Sequence, residues 1–170
     1  MAINRAPFNA LVDDTGNGLT GSVWNKAAIS GVLLDPIDTL VGSAVAYTPT
    51  WKTPTGTISV NNGSLTGLYM NVNGLIVFFV AMTWGSGTAG PADAWQFGLP
   101  PFTPRAGSQV WGTGHALGPP YMPIYILQLS GTEFQPVYAP GGNTESVLSY
   151  TVPFTWAPGM RMILGGSYFA

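Results

Sequence analysis

From Ser43 to Ala170 the chain is a series of short runs of Val, Ile, Thr, Tyr, Phe and Trp, broken by clusters of Gly and Pro. This rhythm predicts strands over Val45–Thr48, Thr57–Val60, Ser64–Val72, Leu75–Trp84, Trp95–Leu99, Gln109–His115, Tyr121–Leu129, Phe134–Tyr138, Ser146–Val152 and Met160–Phe169. Trp95, Phe97 and Leu99 alternate with Gln96 and Gly98, the period of a strand with one buried face. The longest apolar run, Leu75–Met82, is far short of the ~20 residues a membrane-spanning helix needs, and it fits a buried strand. Asn73-Gly74 lies between apolar runs and favours a two-residue type I′ hairpin, because both central residues need positive φ. A second hairpin is predicted across Ser130-Gly131. Pro100–Pro104 and Gly118–Pro120 are stiff loop segments. There is no internal repeat. About ten short strands with these turn signals predict an all-β, jelly-roll-like antiparallel sandwich.

The first 42 residues follow another pattern. Ser22 can cap a short helix in which Trp24, Ala28 and Val32 share one face. Asp35-Pro36 reads as a cap followed by Pro at the first helical position, which starts another turn. Neither helix is long enough to be stable alone, and Ile3–Leu11 reads as extended. The expected organisation is therefore an N-terminal arm, residues 1–42, and a β-domain, residues 43–170. Arg5, Phe8, Leu11 and Trp24 are the arm's candidate anchoring side chains.

Charge sharpens this division. Only 7% of the 170 residues are charged, against ~25% in an ordinary domain. Six of the twelve charges are Arg5, Asp13, Asp14, Lys26, Asp35 and Asp38, so the β-domain is almost bare. A free monomer surface usually carries ~25–35% charged residues. The domain is therefore expected to have faces covered by copies of itself. A net charge of −2 with five Lys and Arg cannot supply a basic stripe, which argues against nucleic acid or an anionic membrane as partner. The segment after Met1 has no apolar run of signal-peptide length. Without cysteine there is no disulfide framework and no thiolate chemistry.

Candidate chemistry is sparse. The one histidine, His115, has no neighbouring carboxylate or second ligand in Trp111–His115. A zinc site wants three or four ligands, and Asp93, Glu133 and Glu145 would have to supply the rest. A Ser-His-Asp triad using Asp93 lacks the Gly-x-Ser-x-Gly elbow. Glycoside hydrolysis would need two of the same three carboxylates ~5–10 Å apart, and their spacing does not suggest it. Asp13–Gly18 looks like the front of a calcium loop, but Trp24 stands where the bidentate acid belongs; an Asx turn fits better. Asn62-Gly63-Ser64 is a glycosylation sequon and also an ordinary turn. No catalytic residue, metal or cofactor is expected. The aromatics are the more informative set. Trp51, Trp84, Trp111 and Trp156 lie in or beside strand ends and turns, where they could stack on sugar rings or anchor a protein interface; the competing reading is that they are core.

Several blocks carry a family resemblance. They are Asn61–Tyr69, Met82–Ser86, Trp95–Pro100 and the closing Met160–Ala170 in the β-domain, with Ala6–Asp14, Trp24–Ala28 and Leu34–Asp38 in the arm. Together they cover roughly half the chain, and their order and spacing carry the match. They resemble a small trimeric β-domain of bacteriophage virion proteins, of the tail-fibre, head-fibre or capsid-decoration type, with its lead segment. The resemblance implies a non-enzymatic homotrimer at the virion surface, docked on capsid or other virion proteins through the arm. The alternative it permits is a receptor-binding tip for host surface glycans. Where such domains tend to carry basic residues, this chain has Leu68, Met70, Val72 and Leu75, which suggests a larger buried interface.

Overall fold

In the computed structural model, which describes residues 43–139 and 145–170, the predicted strands join one antiparallel sheet. Its members are β1 (Val45–Tyr47), β2 (Trp51–Thr53), β3 (Gly56–Thr57), β4 (Ser64–Val72), β5 (Leu75–Thr83), β6 (Gln96–Gly98), β7 (Trp111–Leu117), β8 (Tyr121–Ser130), β9 (Glu133–Tyr138), β10 (Ser146–Val147) and β11 (Arg161–Phe169). Hydrogen bonds link them in the order β1-β4-β5-β11-β7-β8-β9-β6-β2-β3, with β10 beside β9. The sheet is curled into a half-barrel. No helix occurs among the described residues, and the two predicted arm helices lie outside them.

The β4–β5 hairpin is the most regular part, in register from Ser64↔Thr83 to Val72↔Leu75. Its turn has Asn73 at φ 51° and Gly74 at φ 87°, the conformation expected for Asn-Gly. Asn71 Oδ1 accepts a hydrogen bond from the Gly74 amide at 2.9 Å. β8 and β9 form the second predicted hairpin, with a bulge between Gln128 and Ser130. The sequence pattern missed β2. Pro49 and Pro54 flank it and read as turn residues, yet Trp51 pairs with Phe97 and buries its ring. Other limits moved. Thr57–Val60 shortens to β3 plus a bridge from Ser59 to Ala89, and Ser146–Val152 breaks after Val147 into a bridge from Ser149 to Val152.

The curl brings distant parts of the sheet together around one core. Phe78 on β5 and Phe134 on β9 are 5.6 Å apart by ring centroid, although three strands separate them in the sheet. Trp95 is fully buried at the centre of an aromatic cluster, 4.9 Å from Trp51, 5.8 Å from Trp84 and 5.0 Å from Trp156. Gly67 lets the Tyr47 ring lie flat on β4; a Cβ there would fall 2.3 Å from Tyr47 Cε1. Among the described residues the Tyr47 hydroxyl is buried without a hydrogen-bond partner, and burial raises its pKa. Tyr168 donates to the Phe102 carbonyl at 2.9 Å. Its pKa is pushed up to about 12 by burial first and by nearby Tyr69 second.

A loop clamp closes one end of the β4–β5 hairpin. Asn62 donates to Ser86 Oγ at 2.6 Å and accepts from the Gly87 amide at 2.6 Å. Thr88 donates to the Val60 carbonyl at 2.8 Å. The side chain of the sequon asparagine thus ties two loops together.

Candidate subunit interface

The tryptophans divide sharply. Trp51, Trp84 and Trp156 are buried among the core aromatics, with Trp84 beside Tyr150 at a small pocket. Trp111 is 70% exposed. The alternation of β7 decides this: Ala116 points into the core, and the odd positions Trp111, His115 and Leu117 point the other way. Arg5, Phe8, Leu11 and Trp24 lie outside the described residues.

The polar candidates do not converge. Asp93 accepts from Thr55 Oγ1 at 3.2 Å and from the Ala94 amide at 2.7 Å, which fixes a turn. Glu133 pairs with Lys52 at 2.6 Å. Glu145 borders a trough described below. His115 is exposed on the sheet face opposite the core, and its cross-strand neighbours are Ile163 and Pro123. Among the described residues, no group of three or more His, Cys, Asp or Glu is placed to hold a metal ion.

The outward face of β4, β5, β11, β7 and β8 does form a coherent surface. Side chains on neighbouring strands stand in rows across it. One row runs Leu68, Phe79, Gly165, Thr113, Tyr125. A second runs Met70, Val77, Ser167, Trp111, and a third runs Thr83, Arg161, Leu117, Tyr121. Phe169 stands beside Leu75 at one end of the sheet. Among Asp, Glu, Lys and Arg, these five strands carry Arg161 alone.

Leu68, Val77, Phe79, Trp111, Tyr121, Tyr125, Leu127 and Phe169 are each 40–75% exposed. Taking ~150–250 Å² for a whole aromatic side chain and somewhat less for Leu or Val, they present roughly 800 Å² of apolar surface. The largest apolar patch on a typical monomer is ~300–600 Å², and one side of a standard protein interface is ~800 Å².

The surface has relief. Leu68, Met70, Val77 and Phe79 put large apolar side chains on the outward face of β4 and β5. Gly165, Ser167 and Thr113 form a low floor beside them. Trp111, Tyr125 and Leu127 line a trough of about 810 Å³ together with Gln109, Thr113 and Glu145.

Of the residues in this face, sequence reasoning had singled out Trp111 and the apolar substitutions at Leu68, Met70, Val72 and Leu75. It missed Phe79, Tyr121, Tyr125 and Phe169. One signal was available. Leu75–Met82 is apolar at odd and even positions alike, and a strand apolar on both faces is normally covered on both.

Compared with known proteins, the chain matches no family model, no curated protein and no solved structure.

Proposed function

We propose that this chain is a non-enzymatic structural subunit, a homotrimer that packs through the outward sheet face and docks on a bacteriophage particle through residues 1–42. One observation carries the assembly part: roughly 800 Å² of nearly uncharged apolar surface on one face of the sheet, the size of one side of a standard interface. The virion part rests on the sequence resemblance, which suggests a phage structural protein; an arm followed by a single β-domain favours a decoration protein or head fibre over a tail fibre. The finer fold reading, a jelly-roll-like sandwich, is supported by the way the curl packs β5 against β9 through Phe78 and Phe134. The experiment removes residues 1–42. The truncated chain is expected to assemble like the full chain but to leave particles bare. Particle binding equal to that of the full chain would refute docking through the arm.

A second reading has one observation in its favour: the exposed Trp111 ring stands at a trough that also holds Tyr125 and Gln109. Aromatic stacking with a few hydrogen-bonding groups suits a neutral glycan, as a receptor-binding tip would need. Saturable binding of host-surface oligosaccharides, lost in Trp111→Ala, would favour it.

A further inference from the structure

We propose that His115 makes the self-association of this chain pH-sensitive: the contact between copies forms while the imidazole is neutral and loosens when the ring takes up a proton. This rests on the self-assembly reading and names the regulation of the same face.

His115 lies inside the apolar face rather than at its rim. Its row across the sheet runs Thr66, Ala81, Ile163, His115, Pro123. Thr113 and Leu117 precede and follow it on the same side of β7. In the single chain the ring is exposed, so water hydrates it in either protonation state. A second copy laid face to face over these strands would cover it. The covering partner is a second copy because roughly 800 Å² of nearly uncharged surface matches one side of one standard contact.

The neighbours of His115 offer nothing that would offset a buried positive charge. On β11, Ile163 stands directly opposite, with Arg161 and Gly165 on the diagonals. On β8, Pro123 stands opposite, with Tyr121 and Tyr125 on the diagonals. Tyrosine titrates near ~10 and stays neutral through the range in which histidine ionises. Arg161 is a like charge, ~7–8 Å away at diagonal spacing. The five strands hold no Asp or Glu, so a copy meeting this face with its own brings no carboxylate. Glu145, at the head of β10, is three strands from β7.

The direction follows from desolvation. Covering an unpaired imidazolium disfavours its charged form, so the assembled chain binds fewer protons at this ring than the dissociated one. Association is therefore complete above the ordinary histidine pKa of ~6.5 and is lost as pH falls below it. His115 is the chain's one histidine, and carboxylates at ~4 are already ionised in this window. If the covered ring stays neutral, lowering the pH from about 7 to about 5.5 weakens association about tenfold for each imidazole covered.

The test is sedimentation velocity over a concentration series at about pH 7 and about pH 5.5, on full-length wild type, His115→Gln and His115→Arg. Wild type is expected to associate about tenfold or more weakly in acid. His115→Gln should associate as wild type does near neutrality and equally well in acid, and His115→Arg should associate weakly at both. Urea unfolding of the dissociated chains reads the fold separately, and the three should unfold alike at each pH. Wild-type association that is unchanged or stronger in acid would overturn the inference. So would acid weakening that persists in His115→Gln, or wild-type association by His115→Arg. Native mass separates the two levels: an oligomer indifferent to pH sinks the switch and leaves self-assembly standing, whereas a monomer at both pH values sinks both.

Discussion

Replacing Trp111 with Ser should separate assembly from folding. The ring is 70% exposed in the single chain, so its removal takes little from the fold; exposed substitutions usually change stability by less than ~0.5 kcal/mol. In the assembly the same ring is expected to be covered. A Trp side chain of ~250 Å² that is 70% exposed offers ~170 Å² for burial, which at ~25 cal/mol per Å² is worth at most ~4 kcal/mol. Each 1.4 kcal/mol is about tenfold in affinity, so the contact should weaken by up to ~10³. Sedimentation velocity over a concentration series reads the association, and urea unfolding of the dissociated chain reads the fold. Trp95→Ala is the control, because that ring is fully buried in the core cluster. Its truncation should cost ~3–5 kcal/mol of folding stability. The reasoning is refuted if Trp111→Ser associates at wild-type concentrations, or if it lowers the unfolding midpoint of the dissociated chain as far as Trp95→Ala does.

Other substitutions probe the supporting structure. Gly67→Ala should destabilise the fold by ~1–3 kcal/mol, since the new Cβ must displace the Tyr47 ring; thermal unfolding measures it, and an unchanged Tm would contradict the packing described for β1 and β4. Asn62→Ala should cost ~1 kcal/mol by releasing the clamp to Ser86 and Gly87, with hydrogen exchange rising first at the Gly87 amide. Tyr168 carries a pH dependence: folding raises its pKa from 10.0 to about 12 and so favours the protonated phenol. That stability is whole below pH 10 and is lost as pH climbs toward 12. Tyr168→Phe should flatten this alkaline limb in denaturation curves taken across that range.

The fold was legible where local rules and tertiary packing agree. Asn73-Gly74 fixed the β4–β5 hairpin because positive φ at two successive positions is a local demand. The alternation at Trp95, Phe97 and Leu99 marked a buried face because side-chain direction along a strand is also local. The short strands were harder. β2 forms between two prolines because its partner β6 and the core hold Trp51 in place, and neither is visible in a three-residue window. The outward face was only half legible. Composition led only to the expectation of a covered surface. Which residues form that surface depends on the order β4-β5-β11-β7-β8, in which strands far apart in sequence become neighbours. Thus Leu68 and Tyr125 come to share a row only through β5, β11 and β7, and the exposure of Trp111 follows from the parity of β7.

The most direct test of the central claim is the solution mass of the full-length chain, by light scattering from micromolar concentration down through serial dilution. The account predicts three chains per particle, held until dilution dissociates them. A single chain that stays dispersed at high concentration, with its outward face open to water, would contradict it.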